Sequence, residues 1–102
     1  IVTGGENGDP GEVVDVLRDH PRVREAAVVG VADAEWGERV AALVVPVDDG
    51  GDLSLADLRE HCEGRLAGYK HPRLLATVGE LPRTASGTVD REAVGERLRR
   101  AR

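Results

Sequence analysis

Two unbroken apolar runs constrain this chain more than anything else in it: "EAAVVGV" at 25–31 and "RVAALVVPV" at 39–47. A strand with one wet face alternates apolar and polar residues, so a strand without that alternation is buried on both sides. The rest of the chain must therefore supply helices to cover a small sheet. "GDPGEVVDVLRDHP" does so first, with Asp9 as N-cap, Pro10 at the first helical position, Glu12 completing a capping-box pattern and Pro21 as the stop. Val13, Val16 and Leu17 form its apolar face. In "LSLADLREHCEGRLAG", after the turn "DDGGD", Ser54 caps, Asp57 answers three residues later, and Leu53 can staple to Leu58. Leu55, Leu58, Cys62 and Leu66 then share one helical face. A third strand is expected at 73–79, and a last helix from about Asp90. That helix turns Val94, Leu98 and Ala101 inward and sets Arg97, Arg99, Arg100 and Arg102 at the negative end of its dipole. The order helix, strand, strand, helix, strand, helix describes an α+β domain: about three main strands covered by helices, with short hairpin-like loops.

Composition narrows the function. A length of 102 residues fits one core and is too short to hold a whole two-substrate active site. The chain opens on Ile1 without a signal-like stretch, and is expected to be a piece of something longer. Its longest apolar run, 40–47, is far below the ~20 residues of a membrane-spanning helix. The net charge of −5 argues against general nucleic-acid binding. Cys62 is the only cysteine, which leaves no internal disulfide or cysteine-based metal site and suits a reducing, cytoplasmic setting. Its helical spacing among leucines makes it a core residue. His20 and His61 are expected on polar helix surfaces, with structural roles.

Four loop stretches carry more glycine and polar residues than packing requires: "TGGEN", "DAEWGE", "GYKHPR" and "PRTASG". In this order and spacing, over essentially the whole chain, they resemble the C-terminal domain of the adenylate-forming enzymes. That superfamily comprises acyl- and aryl-CoA synthetases, nonribosomal peptide adenylation domains and firefly luciferase, and the second and third stretches are most similar to the CoA ligases. The resemblance implies a lid domain, 1–102, that works with an N-terminal domain binding ATP, Mg and a carboxylic acid. In one pose a lysine after the glycine of an "SGK" turn bridges the acid and the α-phosphate as the acyl adenylate forms. In the other the glycine loop helps build the tunnel through which CoA attacks that adenylate.

By that resemblance the lysine falls at Thr88, after Gly87 and before Val89. Removing one preorganised electrostatic donor costs on the order of 100- to 1000-fold in rate, and here a full charge is missing, so adenylation is expected to be defective. Lys70, Arg83 and Arg91 are not expected to replace it. The CoA-binding positions implied are Gly4 and Gly5 along the pantetheine arm, Trp36, and Tyr69, His71 and Arg73 near the nucleotide, within a basic stretch free of acids between Glu63 and Glu80. Each also has a plainer explanation: a turn, an aromatic over the sheet edge, a solvated basic cluster. Three functions stay open. The parent forms acyl-CoA from a ready-made adenylate, such as one supplied by a separate enzyme; it is a noncatalytic relative that binds a nucleotide or partner; or it is an adenylation domain serving a carrier protein.

Overall fold

In a computed structural model of the chain, residues 1–3, 6–48 and 53–101 are described; most of the "DDGGD" turn and Arg102 lie outside them. The elements in chain order are β1 (Val2–Thr3), β2 (Glu6–Asn7), α1 (Pro10–Arg18), β3 (Val23–Asp33), β4 (Gly37–Pro46), α2 (Leu55–Cys62), a 3-10 turn (Gly68–Lys70), β5 (Leu74–Thr77) and α3 (Arg91–Arg100). Strand β4 is central. It pairs antiparallel with β3 along almost its whole length and parallel with β5, from Ala41↔Leu74 to Val44↔Thr77. A parallel neighbour needs a long crossover, and the segment carrying α2 supplies it. Near the start of β4, Thr3 of β1 pairs with Gly37, and β2 pairs with β1.

The two apolar runs are buried on both faces because successive residues point to opposite sides. Ala26, Val28, Val40, Ala42 and Val44 pack beneath α1 and α2 with Val13, Leu17, Leu58, Cys62 and Leu66. Their neighbours Ala27, Val29, Val31, Ala41, Leu43 and Val45 pack on the other face with Leu81, Val94 and Leu98.

Caps decide where the helices begin. Asp9 Oδ1 accepts the Gly11 N–H at 2.9 Å, with Pro10 in the first turn. Glu12 does not close the box expected there: its Oε1 takes Lys70 Nζ at 2.6 Å, a cationic partner stronger than a backbone N–H. The α2 box is complete. Ser54 Oγ accepts the Asp57 N–H at 3.1 Å and Asp57 Oδ2 the Ser54 N–H at 2.9 Å, while Leu53 and Leu58 share one core.

The helix ends differ from the apolar spacing in three places. Helix α1 stops at Arg18, short of Pro21. Helix α2 stops at Cys62, where Glu63 leaves the helical conformation at φ −57°, ψ 128° and Gly64 adopts φ +77°; Leu66 reaches the core from the turn that follows. Helix α3 buries Val94, Gly95 and Leu98, but Ala101 is its exposed C-cap and not part of the inward face.

Candidate functional site

Thr88 lies on a tight hairpin between the core residue Leu81 and α3. Arg83 and Val89 form a bridge, the Thr84 N–H bonds to the Thr88 carbonyl at 2.8 Å, and the Gly87 N–H to the Thr84 carbonyl at 2.9 Å. Gly87 takes φ +89°, a conformation L side chains rarely adopt, which explains the glycine before Thr88. At the tip Thr84 Oγ1 and Ser86 Oγ lie 3.0 Å apart, and Ser86 Oγ and Thr88 Oγ1 3.4 Å, with all three residues exposed.

The three cations weighed as replacements for a charge at Thr88 each have another partner. Arg83 donates to Glu25 Oε1 at 2.6 Å and to the Gly87 carbonyl at 3.0 Å. Arg91 donates to the Val28 carbonyl at 2.8 Å, which ties α3 to the sheet. Lys70 is held by Glu12.

A second cluster forms at the β3–β4 turn. Asp33 Oδ1 accepts the N–H groups of Glu35 and Trp36, both at 2.9 Å, and Asp33 Oδ2 meets Arg39 Nε at 3.1 Å as a charge contact, not an aligned hydrogen bond. Gly37, at φ +87°, completes the turn and leaves Trp36 41% exposed. The Arg73 guanidinium stands 4.8 Å from the Trp36 ring centroid, and the Arg73 backbone N–H bonds to the Val40 carbonyl at 2.8 Å. Arg73 Nε is buried with no hydrogen-bond partner among the described residues. Trp36, 37 residues away in sequence, therefore meets Arg73 as one cation–π unit that presents an aromatic face beside a positive charge.

The rest of the basic stretch divides. Tyr69 is half-buried in the 3-10 turn, with Lys70 Nζ 5.7 Å from its ring centre. His71 is only 3% exposed and donates from Nε2 to the Leu66 carbonyl at 3.1 Å. It faces inward and holds the turn, unlike the surface position expected of a nucleotide contact; Pro72 beside it is fully buried, so this part of the turn packs as core. The turn is further pinned by Arg59, which donates to the Pro72 carbonyl at 2.8 Å, a contact that the helical pattern of α2 gave no sign of. Gly4 and Gly5 lie outside the described residues. Among the described residues no group of three or more His, Cys, Asp or Glu side chains is arranged to hold a metal, and no helix is long and apolar enough to cross a membrane.

The two clusters sit at opposite ends of β3. Arg83 of the hairpin grips Glu25 at one end, and the Trp36 turn follows Asp33 at the other, roughly 26 Å away at ~3.3 Å per strand residue. The family model for the AMP-binding enzyme C-terminal domain matches residues 12–88.

The chain belongs to that family.

It is 42% identical over 100 residues to an indoleacetate–CoA ligase of Aromatoleum aromaticum, covering 98% of this chain and 19% of that protein. It is 45% identical over 86 residues to a 2-succinylbenzoate–CoA ligase of Bacillus mycoides, covering 84% of this chain and 17% of that one. Among solved structures it superposes on a Mycobacterium tuberculosis fatty acyl CoA synthetase with a TM-score of 0.85 at 37% identity, over 95% of this chain and 19% of that one. Against ATP-bound MatB from Rhodopseudomonas palustris the TM-score is 0.87 at 36% identity, again over 95% and 19%. The chain thus spans about a fifth of the length of these relatives.

Two histidines behave as structural residues. His61 donates from Nε2 to the Val16 carbonyl at 2.7 Å, and its ring meets that of His20 edge-on at 5.0 Å. His20 lies in the turn after α1, not on a helix surface. Cys62 is buried, and burial pushes its thiol pKa up, away from reactivity.

Proposed function

We propose that this chain is the lid of a longer acyl- or aryl-CoA ligase that joins an acyl adenylate to CoA, and that its adenylation step is impaired at Thr88. The observation carrying this reading is the hairpin tip. It presents an uncharged hydroxyl where relatives of this type are expected to present lysine, and Arg83, Arg91 and Lys70 are bound to Glu25, Val28 and Glu12. Adenylation brings a carboxylate against a polyphosphate. A fixed ammonium offsets that repulsion in a site where water screens poorly, and a threonine hydroxyl does not. ATP and Mg belong to the cycle only to the extent that this step survives; otherwise a separate adenylating enzyme supplies the adenylate.

The Trp36–Arg73 pair supports the second half-reaction. CoA carries an adenine and phosphates, and a stacked guanidinium beside an exposed indole offers a partner to each. Tyr69 lies in the 3-10 turn just before Arg73, Gly4 and Gly5 are assigned to the pantetheine path by the family resemblance, and His71 contributes by bracing the 3-10 turn. The test uses the full-length protein, wild type and Thr88→Lys, measuring ATP/pyrophosphate exchange with candidate acids beside thioester formation from synthetic acyl adenylates. Wild type should make thioester with little exchange, and lysine should raise exchange by on the order of 100-fold or more. Absence of both activities in wild type would favour a noncatalytic relative, and turnover with a holo-carrier protein but not with free CoA would favour a carrier-dependent domain.

A further inference from the structure

We infer that Arg59 is a positioning residue: by holding the Pro72 carbonyl it fixes the peptide unit from which Arg73 springs, and so sets the Arg73 guanidinium against the Trp36 ring for CoA. The functional half of this inference rests on the CoA reading above. The chain enters β5 through "HPR", 71–73. Proline has no N–H, so position 72 makes no ladder bond through its nitrogen, and the strand entry is fastened through the peptide between Pro72 and Arg73. Both ends of that peptide are held. Its carbonyl, on fully buried Pro72, accepts from Arg59 Nη1 at 2.8 Å, and its N–H, on Arg73, donates to the Val40 carbonyl of β4 at 2.8 Å. A peptide unit is planar, so anchors on its two opposite edges fix its rotation, and with it the direction in which the next side chain leaves the backbone.

Arg73 depends on that backbone for its aim. Its Nε is buried without a hydrogen-bond partner among the described residues, and its guanidinium lies 4.8 Å from the Trp36 ring centre. The stack supplies attraction, and the backbone supplies the direction from which the side chain approaches the ring. The neighbouring ties stop short of this peptide. Lys70 Nζ meets Glu12 Oε1 at 2.6 Å, His71 Nε2 donates to the Leu66 carbonyl at 3.1 Å, and the His71 N–H bonds to the Gly68 carbonyl at 3.2 Å, all of which fasten the 3-10 turn before Pro72. Arg59 reaches instead from the last turn of α2, 13 residues back, to the strand entry itself. Leu58 and Cys62 are fully buried, so the helix that carries Arg59 is fixed by the core. A charged donor makes this bond stronger than a neutral one, and its loss leaves a buried carbonyl unpaired.

The full-length protein tests this through Arg59→Met, Arg59→Lys, Arg73→Ala and the double variant Arg59→Met with Arg73→Ala. Methionine keeps the length and bulk of the side chain without a donor, whereas lysine keeps a charged donor. Thioester formation from a synthetic acyl adenylate is followed as CoA is varied, and amide hydrogen exchange is followed in the segment containing Arg73, with β3 as the internal reference. Arg59→Met should raise KM for CoA about fivefold, leave KM for the adenylate unchanged and speed exchange at Arg73 about tenfold with none at β3, as expected when a hydrogen bond from a charged group is lost locally. Arg59→Lys should stay within about twofold of wild type. Arg73→Ala should raise KM for CoA about tenfold, and the double variant should match it within about twofold, because Arg59 acts only through Arg73. Arg59→Gln, too short to reach the carbonyl, carries the test if the methionine variant fails to fold. Wild-type KM for CoA in Arg59→Met beside an impaired Arg73→Ala overturns the inference; so does a double variant whose loss is the product of the two single ones, and so does a lysine variant as impaired as the methionine one. If wild type forms no thioester, or Arg73→Ala leaves KM for CoA unchanged, the CoA reading fails and the functional half falls with it; unchanged exchange at Arg73 in Arg59→Met then overturns the positioning as well.

Discussion

Arg73 and Trp36 show how much one side-chain pair can decide. The Arg73 guanidinium stands 4.8 Å from the Trp36 indole, with Nε shut away from water and without a hydrogen-bond partner among the described residues, so stacking on the ring is the side-chain contact that orients it. Lysine keeps the charge but not the plane, so Arg73→Lys should raise KM for CoA about threefold to tenfold while leaving KM for the acyl adenylate unchanged, and Trp36→Ala should do the same. Steady-state thioester formation with CoA varied checks both. The pair was partly legible in the sequence, because a lone tryptophan in a polar loop and a basic stretch in an acidic chain both stand out. That they touch was not, since it depends on β5 lying parallel to β4 and bringing the start of that strand beside the turn. The burial of His71 was hidden from the sequence for a related reason. Between Lys70 and Arg73 it reads as one of a basic set, yet the path of the chain into fully buried Pro72 turns its ring onto the Leu66 carbonyl.

At the scale of elements, local chemistry predicts starts better than ends. Ser54 and Asp57 satisfy each other's backbone donors, and nothing outside the segment is needed to recognise them. Ser54→Ala should lower domain stability by about 1 kcal/mol, seen as a lower urea midpoint at unchanged slope. A slope that changed along with the midpoint would mean that α2 does more than pack on a finished sheet. The end of α2 was overrun because Leu66 continues the spacing of Leu58 and Cys62, although Gly64 has already taken the chain out of the helix. At Glu12 the reverse occurred: the capping pattern was present, but Lys70, 58 residues away, took the carboxylate. The two buried strands were legible almost residue by residue, since burial on both faces leaves a composition that no exposed segment shares.

For the whole molecule, the join between α1 and α2 makes stability depend on pH. His61 ties α2 to the end of α1 through the Val16 carbonyl, and His20 packs against it while its Nδ1 accepts the Arg22 N–H at 3.1 Å. Only a neutral His20 can accept that bond. Partial burial, then the neighbouring His61 and Arg22, hold its pKa below the ordinary 6.5, with Asp57 opposing; Glu60 borders the same recess. A histidine whose pKa is lowered on folding binds more protons in the unfolded chain. Its contribution is therefore fully present above about pH 6.5 and is lost as pH falls from there through the folded value. Asp57 acts in a lower window. The backbone N–H and hydroxyl of Ser54 hold its pKa below 3.8, so its contribution persists above that value and disappears only in stronger acid. Urea midpoints of the 102-residue domain should fall between pH 7.5 and 5.5, and His20→Gln should flatten that decline without altering the further loss below pH 4. An equal decline in His20→Gln would overturn the assignment of the upper window to His20.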